Sequence, residues 1–356
     1  MRAAVYHGAG DVRIESVPDP GRPGPGELLI EVTRSGICGS DAGEFQHGPR
    51  QVPLHARHPH SGHVGPMVLG HEFAGSVLQV GPDVAGFEPG QRVACGAGVA
   101  CGACAWCRSG RTNLCARYHT IGLQMNGGLA ELVRAPAAIC VPVPDGCTDD
   151  AAAMAQPLAV ALHALARSGV DGSRALAVIG VGGIGSFIAG AAAQRGVADL
   201  LAVDVDEQRL DAARRLGARV AIDARVGDVA EAVRAETGGE GAAVVIEASG
   251  TAAGLSAALG SVRWGGRVVA VGLQATPRAV DLFDLSLREV DLVGTVAHVC
   301  RTDLPAAVGM LTTTPLASLV LDRVIPLDRL VPDGILALTE HRARGKILVG
   351  PANVMP

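Results

Sequence analysis

Residues 173–210 read SRALAVIGVGGIGSFIAGAAAQRGVADLLAVDVDEQRL. The apolar run 175–179 has the length and composition of a strand buried on both faces of a parallel sheet, and a helix of small residues follows it. Between them Gly180, Gly182 and Gly185 form G-x-G-x-x-G, filled out by Val181, Gly183 and Ile184. Glycines at that spacing let the backbone close in on a pyrophosphate at a helix N-terminus. A second apolar run ends at Asp204. A carboxylate there would hold the ribose hydroxyls of a dinucleotide and repel a 2′-phosphate, which favours NAD over NADP. Asp206 is a second, less well placed acid, and Arg209 reads either as lining the adenosine side or as a solvated helix arginine. The glycine motif alone is a weak signal; strand, turn, helix, second strand and acid in this order make a specific one.

The same alternation continues downstream. GARVAIDA, AAVVIEASG, GGRVVAVGL and VDLVGTVAH are short apolar runs separated by Ala-rich or Arg-rich helical segments, the rhythm of a doubly wound parallel sheet. The first 150 residues differ, being rich in Gly, Pro and alternating runs such as ELLIEVTRSG, and they predict a separate β-rich domain. A chain of 356 residues that is 48% hydrophobic and 18% charged is large enough for two cores. Its net charge of -5, without runs of like charge, offers no basic field for nucleic acid or an anionic membrane. No apolar stretch reaches spanning length and no signal core is present, so a small-molecule partner and a cytoplasmic setting are expected. Lys346 is the only lysine beside many arginines, a bias read as genome composition.

Five of the nine cysteines fall within CGAGVACGACAWCRSGRTNLC, residues 95–115. Cys101, Cys104, Cys107 and Cys115 have the spacing C-x2-C-x2-C-x7-C, and four thiolates on a loop of small residues close tetrahedrally around a structural zinc. Cys95, Cys140, Cys147 and Cys300 lie outside that spacing and read as packing residues. Upstream, SGICGSDAGEF supplies Cys38, Ser40 and Asp41, and VLGHEFAG supplies His71 and Glu72. A thiolate, an imidazole and one further protein ligand leave a zinc with an open position for a substrate oxygen, which is a catalytic arrangement.

The order GICGSD, GHE, four-cysteine loop, apolar helix, G-x-G-x-x-G and acid resembles the zinc-dependent medium-chain alcohol dehydrogenases over essentially the whole chain. HPHSGHVGPMVLGHEFAG resembles the 2,3-butanediol dehydrogenase branch, and EFAGSVLQVG, GGLAELV and PLAVALHAL also fit the neighbouring sorbitol and threonine dehydrogenases. The resemblance implies an α/β fold, with a β-rich GroES-like catalytic domain over 1–156 and 298–356 and a Rossmann NAD-binding domain over 157–297. It implies one structural and one catalytic zinc, NAD(H), and hydride transfer between a secondary alcohol, a vicinal diol or polyol, and its ketone. On this resemblance Cys38 and His71 are catalytic zinc ligands, and Glu72 is either a ligand or a close carboxylate that exchanges with water. Asp41 would orient His71 through its other nitrogen, and Ser40 would take the alcohol proton and pass it through the cofactor ribose. A homo-oligomer, tetramer or dimer, with strand pairing near VDLVGTVAH, is also implied.

Two departures bear on function. In AMAQPLAVALHAL, residues 153–165, Gln156 stands where the butanediol and polyol branch has the Glu of Glu-Pro-Leu, at or near the zinc. An amide oxygen still binds a metal or its water but brings no charge, which makes the site more electrophilic and metal retention weaker. Some sugar dehydrogenases similarly carry Gln here. The bland alternative is a polar residue at a helix start, with Pro157 at the first helical position. Gly43 stands where many relatives have a histidine, so alcohol oxidation should depend less on a group titrating near neutrality. His55, His58, His60 and His63 read as a solvated loop near the substrate mouth rather than a metal site; His163 reads as a core or interface residue, and His119 and His298 are within possible reach of the site. Two other readings stay open: a sugar or cyclitol dehydrogenase, and a cofactor-binding relative that keeps only the structural zinc.

Overall fold

The computed structural model describes residues 1–274 and 276–351. The chain divides into two compact units, one of Met1–Ala159 with His298–Pro356 and one of Val160–Ala297.

In the second unit six parallel strands lie in the order Val220–Asp223, Leu200–Asp204, Leu176–Ile179, Ala242–Glu247, Val262–Ala270 and Asp291–Gly294. Leu176–Ile179 is buried along its length because it is flanked on both edges, with Leu176 opposite Leu200 and Val244. Ala177, Ile179, Leu201, Val203, Val245 and Val268 form one side of the core, which is why these strands read as continuous apolar runs rather than alternating ones. Successive strands go to one side of Leu176–Ile179 and then to the other, so the sheet changes direction at that strand. Ligands of such sheets bind at the carboxyl end of the strands at that point.

The first unit is built on a seven-stranded mixed sheet. Its centre is Glu27–Gly36, which pairs antiparallel with Glu72–Val80, Leu132–Pro136 and Lys346–Gly350. A three-stranded sheet of Asp11–Ser16, Arg2–Gly8 and Met67–Val68 packs its own apolar side chains beside it. Cys95, Cys140 and Cys300 sit in the apolar cluster with Phe73, Val93 and Ile121, the packing role their spacing implied.

The helix Ala155–Ser168 runs across the division between the units. It starts two residues before Pro157, so the proline is third in the helix and not first, where the bland alternative for Gln156 puts it. The placement costs no hydrogen bond: the first N–H to bond back is that of Leu158, to the Met154 carbonyl at 3.1 Å, and those before it have no helical acceptor.

Candidate active site

Strand pairing assembles the first cluster. Gly36 at the end of Glu27–Gly36 lies opposite Glu72 at the start of Glu72–Val80. Cys38 follows one partner by two residues and His71 precedes the other by one, so the pairing delivers all three side chains to one place. The turn before His71 requires glycine: Gly70 has φ +99°, and a Cβ there would stand 2.5 Å from the Leu129 nitrogen. One ligand atom each from Cys38, His71 and Glu72 lies within 4.8 Å of the others, with His71 and Glu72 buried.

Asp41 organises the cluster from the first turn of the helix Gly39–His47. Its Oδ2 accepts the Cys38 N–H at 2.9 Å, while its Oδ1 faces His71 Nδ1 at 3.6 Å. Neither Oδ1 nor Nδ1 has a hydrogen-bond partner, so the two face each other as a charge contact. One buried carboxylate therefore aligns both candidate ligands and leaves the other imidazole nitrogen, Nε2, pointing away from it. That nitrogen lies 3.2 Å from Ser40 Oγ. Burial alone would push the His71 pKa down, but Asp41, Cys38 and Glu72 together outweigh it and hold the imidazole at about 10. Burial pushes the Asp41 carboxyl up. A buried pocket so rich in anionic groups suits a cation, which fits the donor set to a metal.

Gln156 is buried at the second position of the helix Ala155–Ser168 and belongs to the same unit, on a different element from the Cys38, His71 and Glu72 set. Gly43 has nothing within 4 Å of the place its Cβ would occupy.

The second cluster is the cysteine lobe. Cys101, Cys104, Cys107 and Cys115 converge with one sulfur each within 4.8 Å of the others. The Sγ–Sγ separations of 3.5 Å for Cys104 to Cys107 and 4.0 Å for Cys101 to Cys107 bracket the tetrahedral edge of about 3.8 Å that zinc–sulfur bonds of about 2.3 Å generate. Backbone N–H groups of Cys101 and Arg117 already point at Cys115 Sγ, at 3.2 and 3.3 Å. The N–H groups of Ala116 and Cys107 draw the Cys104 thiol down to about 6, whereas burial and the neighbouring Cys104 and Cys115 push Cys107 up to about 12. The thiols thus do not ionise alike without a metal.

Among the described residues these two are the clusters of His, Cys, Asp and Glu that would hold a metal. The histidine loop is not one of them, although the ring centroid of His58 lies 5.8 Å from that of His60 and 6.0 Å from that of His119. His298 is buried beside Cys300 and Gly96, and His163 is buried in its helix.

In the other unit, Gly180 has φ +85° and a Cβ on it would stand 2.7 Å from the Ser249 nitrogen, while one on Gly185 would collide with the Gly180 carbonyl. Those two glycines serve the turn and the contact of helix with strand. Gly182 and Gly183 are different: a Cβ on either would meet no protein atom closer than 3.5 Å. Their bareness leaves open space at the start of the helix Gly183–Gln194, the room a pyrophosphate needs beside Val181 and Ile184. Asp204 ends its strand with Oδ2 accepting the Val181 N–H at 2.9 Å and Oδ1 accepting those of Val205 and Asp206 at 2.8 and 3.1 Å. Arg209 Nη1 lies 3.8 Å from Asp204 Oδ1, alongside the glycine turn rather than out in solvent. Asp206 is occupied as the N-cap of Glu207–Arg215.

Sequence reasoning passed over two residues here. Glu247 is fully buried at the end of its strand and accepts the Ser249 and Gly250 N–H groups at 2.8 and 2.9 Å, holding the turn that abuts Gly180. The acid closing the apolar run AAVVIE was the signal. Lys346 is the second, with its ammonium in ion-pair contact with Glu72; being the only lysine was its signal.

A β-rich unit carrying two metal-type clusters, joined in one chain to a unit built on a dinucleotide-type parallel sheet, is the build of a metal-dependent dehydrogenase. Residues 24–145 match the family described as the alcohol dehydrogenase GroES-like domain, and residues 183–313 that described as zinc-binding dehydrogenase. The chain is 31% identical to (R,R)-butanediol dehydrogenase of Bacillus subtilis (strain 168) over 99% of its length and 100% of the relative's. It is 34% identical to human sorbitol dehydrogenase over 87% of its length and 84% of the relative's. The crystal structure of 2R,3R-butanediol dehydrogenase from Bacillus subtilis superposes with a TM-score of 0.90 at 30% identity, covering 99% of both chains. A Sinorhizobium meliloti 1021 protein solved bound to NADP gives 0.86 at 28% identity, covering 98% of this chain and 99% of that one. The chain belongs to the zinc-dependent medium-chain alcohol dehydrogenase family, and it is an oxidoreductase. No helix among the described residues is long and apolar enough to cross a membrane.

Proposed function

We propose that this chain is an NAD-dependent zinc dehydrogenase that interconverts a secondary alcohol, a vicinal diol or polyol of the 2,3-butanediol kind, and its ketone. The observation that carries the reading is the convergence of Cys38, His71 and Glu72 over Asp41, in a chain 31% identical to a butanediol dehydrogenase along almost its whole length. Cys38 and His71, with Gln156 as a further donor and the Glu72 carboxylate beside them, would hold the catalytic zinc, and Cys101, Cys104, Cys107 and Cys115 the structural one. Bound at the first site, zinc supplies Lewis acidity toward the alcohol oxygen.

The remaining work falls to the chain's own groups. Asp41 selects the tautomer of His71 whose Nε2 carries a lone pair and pins the backbone of Cys38. Ser40 Oγ accepts the substrate hydroxyl proton and hands it on through hydroxyl groups to water. Gly180, Val181, Gly182, Gly183, Ile184 and Gly185 receive the pyrophosphate, Asp204 accepts from the adenosine ribose, and Arg209 lines that side.

Two copies of the chain would pair through the strand Asp291–Gly294, which ends the parallel sheet near exposed Leu282, Phe283 and Leu287. Light scattering that returns a monomer mass would refute this part.

The deciding experiment is initial rates with NAD and NADP against 2,3-butanediol, acetoin and sorbitol, beside a panel of aldoses and cyclitols. Turnover of a diol or polyol with NAD is expected. The neutral Gln156, shared with some sugar dehydrogenases, supports a sugar or cyclitol substrate as the second reading, and turnover confined to that panel would establish it instead. No turnover with any of them, in protein holding only one zinc, would point to a relative without alcohol chemistry.

A further inference from the structure

Lys346 opens the strand Lys346–Gly350, which reaches the cluster by pairing with Glu27–Gly36 through Leu348 opposite Gly36 and Val349 opposite Ser35. It is the one lysine of the chain, and it is 5% exposed. Its ammonium donates to the Ile37 carbonyl at 2.8 Å and is in ion-pair contact with Glu72 Oε2. It therefore grips the residue before Cys38 on one side and the carboxylate after His71 on the other. Gly36 makes the room: a Cβ there would collide with Glu72 Oε2 and stand 2.8 Å from Lys346 Cε. A buried ammonium and a buried carboxylate each need the other, because neither is solvated.

We propose that Lys346 is the positioning residue that sets the role of Glu72, tethering and neutralising its carboxylate so that Glu72 stays outside the metal's direct ligands and one coordination position stays open. This rests on the reading of Cys38, His71 and Glu72 as a zinc site. With the tether gone, Glu72 becomes an unpaired buried carboxylate within 4.8 Å of the Cys38 and His71 donor atoms, and a metal is the partner left to it. Gln156 sharpens the effect. With an amide there, Cys38 is the anionic direct ligand that remains, and the charge at the metal depends on whether Glu72 is tied back.

The test compares wild type, Lys346→Met, Glu72→Gln and the double variant by chelator competition for the second zinc and by the visible spectrum of the cobalt(II)-substituted protein. Lys346→Met is expected to hold the second zinc at least about tenfold more tightly, the scale on which groups behind metal ligands act. Its cobalt bands should move as the coordination changes, and both effects should vanish in the double variant. A lysine that merely supports the fold would leave the cobalt spectrum alone. Unchanged or weaker zinc binding with a wild-type spectrum overturns the proposal while the zinc-site reading stands. Wild-type protein that takes up one zinc only overturns that reading, and the proposal with it.

A measurement on wild type covers the case in which Lys346→Met does not fold. Protein labelled with 15N-lysine yields one ammonium resonance, which should stay protected from solvent exchange after both sites are loaded with zinc. Rapid exchange in the loaded protein would show that Glu72 has left Lys346, and would overturn the proposal.

Discussion

Asp204→Asn separates the role of the strand-end acid in cofactor choice from its role in the fold. The carboxylate accepts three backbone N–H groups, Val181 on Oδ2 and Val205 with Asp206 on Oδ1, at 2.8 to 3.1 Å. An amide keeps one acceptor oxygen. If that oxygen serves Val205 and Asp206, the NH2 group faces the Val181 N–H, and a buried donor inside the glycine turn is stranded at a cost of about 1–3 kcal/mol. A ribose hydroxyl donating to an ionised carboxylate contributes about 1.5–3 kcal/mol, roughly half of which an amide would retain. The stranded donor weakens free and bound protein alike, so the ribose loss of about 0.8–1.5 kcal/mol sets the binding and predicts NAD affinity lower by about 3- to 12-fold, since each 1.4 kcal/mol is about tenfold. NADP follows a different course. The repulsion of its 2′-phosphate is lifted and Arg209, 3.8 Å from Asp204 Oδ1, is released to pair with it. The ratio of NAD to NADP dissociation constants should therefore move toward NADP by more than the loss in NAD binding alone. Calorimetric titration of both cofactors reads this without knowledge of the substrate. If both affinities fall equally, Asp204 acts through the turn only and the argument for NAD fails.

The remaining predictions concern the metals. Metal-free His71 is held at about 10 and so carries a proton at neutral pH. Zinc must displace that proton, so apparent zinc affinity at this site should climb by about tenfold or more per pH unit between pH 6 and 8. Chelator competition giving a flat profile would show that His71 is not a ligand. At the cysteine lobe, Cys104 is already largely ionised above its value of about 6, while Cys107, at about 12, is not. Zinc uptake at pH 7.5 should therefore release fewer than four protons, and more as pH falls through 6; calorimetry in buffers of different ionisation enthalpy counts them. Gln156→Glu should slow zinc loss to a chelator and move the rising limb of the alcohol-oxidation pH profile upward, because an added anion beside the metal makes its site less electrophilic. Unaltered zinc loss and pH profile would place Gln156 away from the metal.

What could be read from sequence were features that act locally or repeat. The parallel strands are buried on both faces, so each announced itself as an apolar run, and four cysteines on one loop needed no knowledge of the fold. Cys38, His71 and Glu72 were legible through short motifs, although the pairing of Gly36 with Glu72 that unites them was not. The tether escaped notice because Lys346 and Ile37 are 309 residues apart, joined only once the last strand returns to the first sheet. Composition made Lys346 look like a leftover of codon bias. The start of the helix at Ala155 was missed because a proline within the first turn is as compatible with the third position as with the first. Sequence gave no means of telling which glycines the protein packs against, Gly180 and Gly185, from those left bare, Gly182 and Gly183.

The most direct test of the account is zinc per chain, by elemental analysis of protein purified without chelator, for wild type beside a Cys38→Ser, His71→Ala double variant. Four thiolates and a separate Cys38–His71 centre predict about two zincs in wild type and about one in the variant. One zinc in both would leave only the cysteine lobe occupied and contradict the catalytic centre on which the proposed function rests.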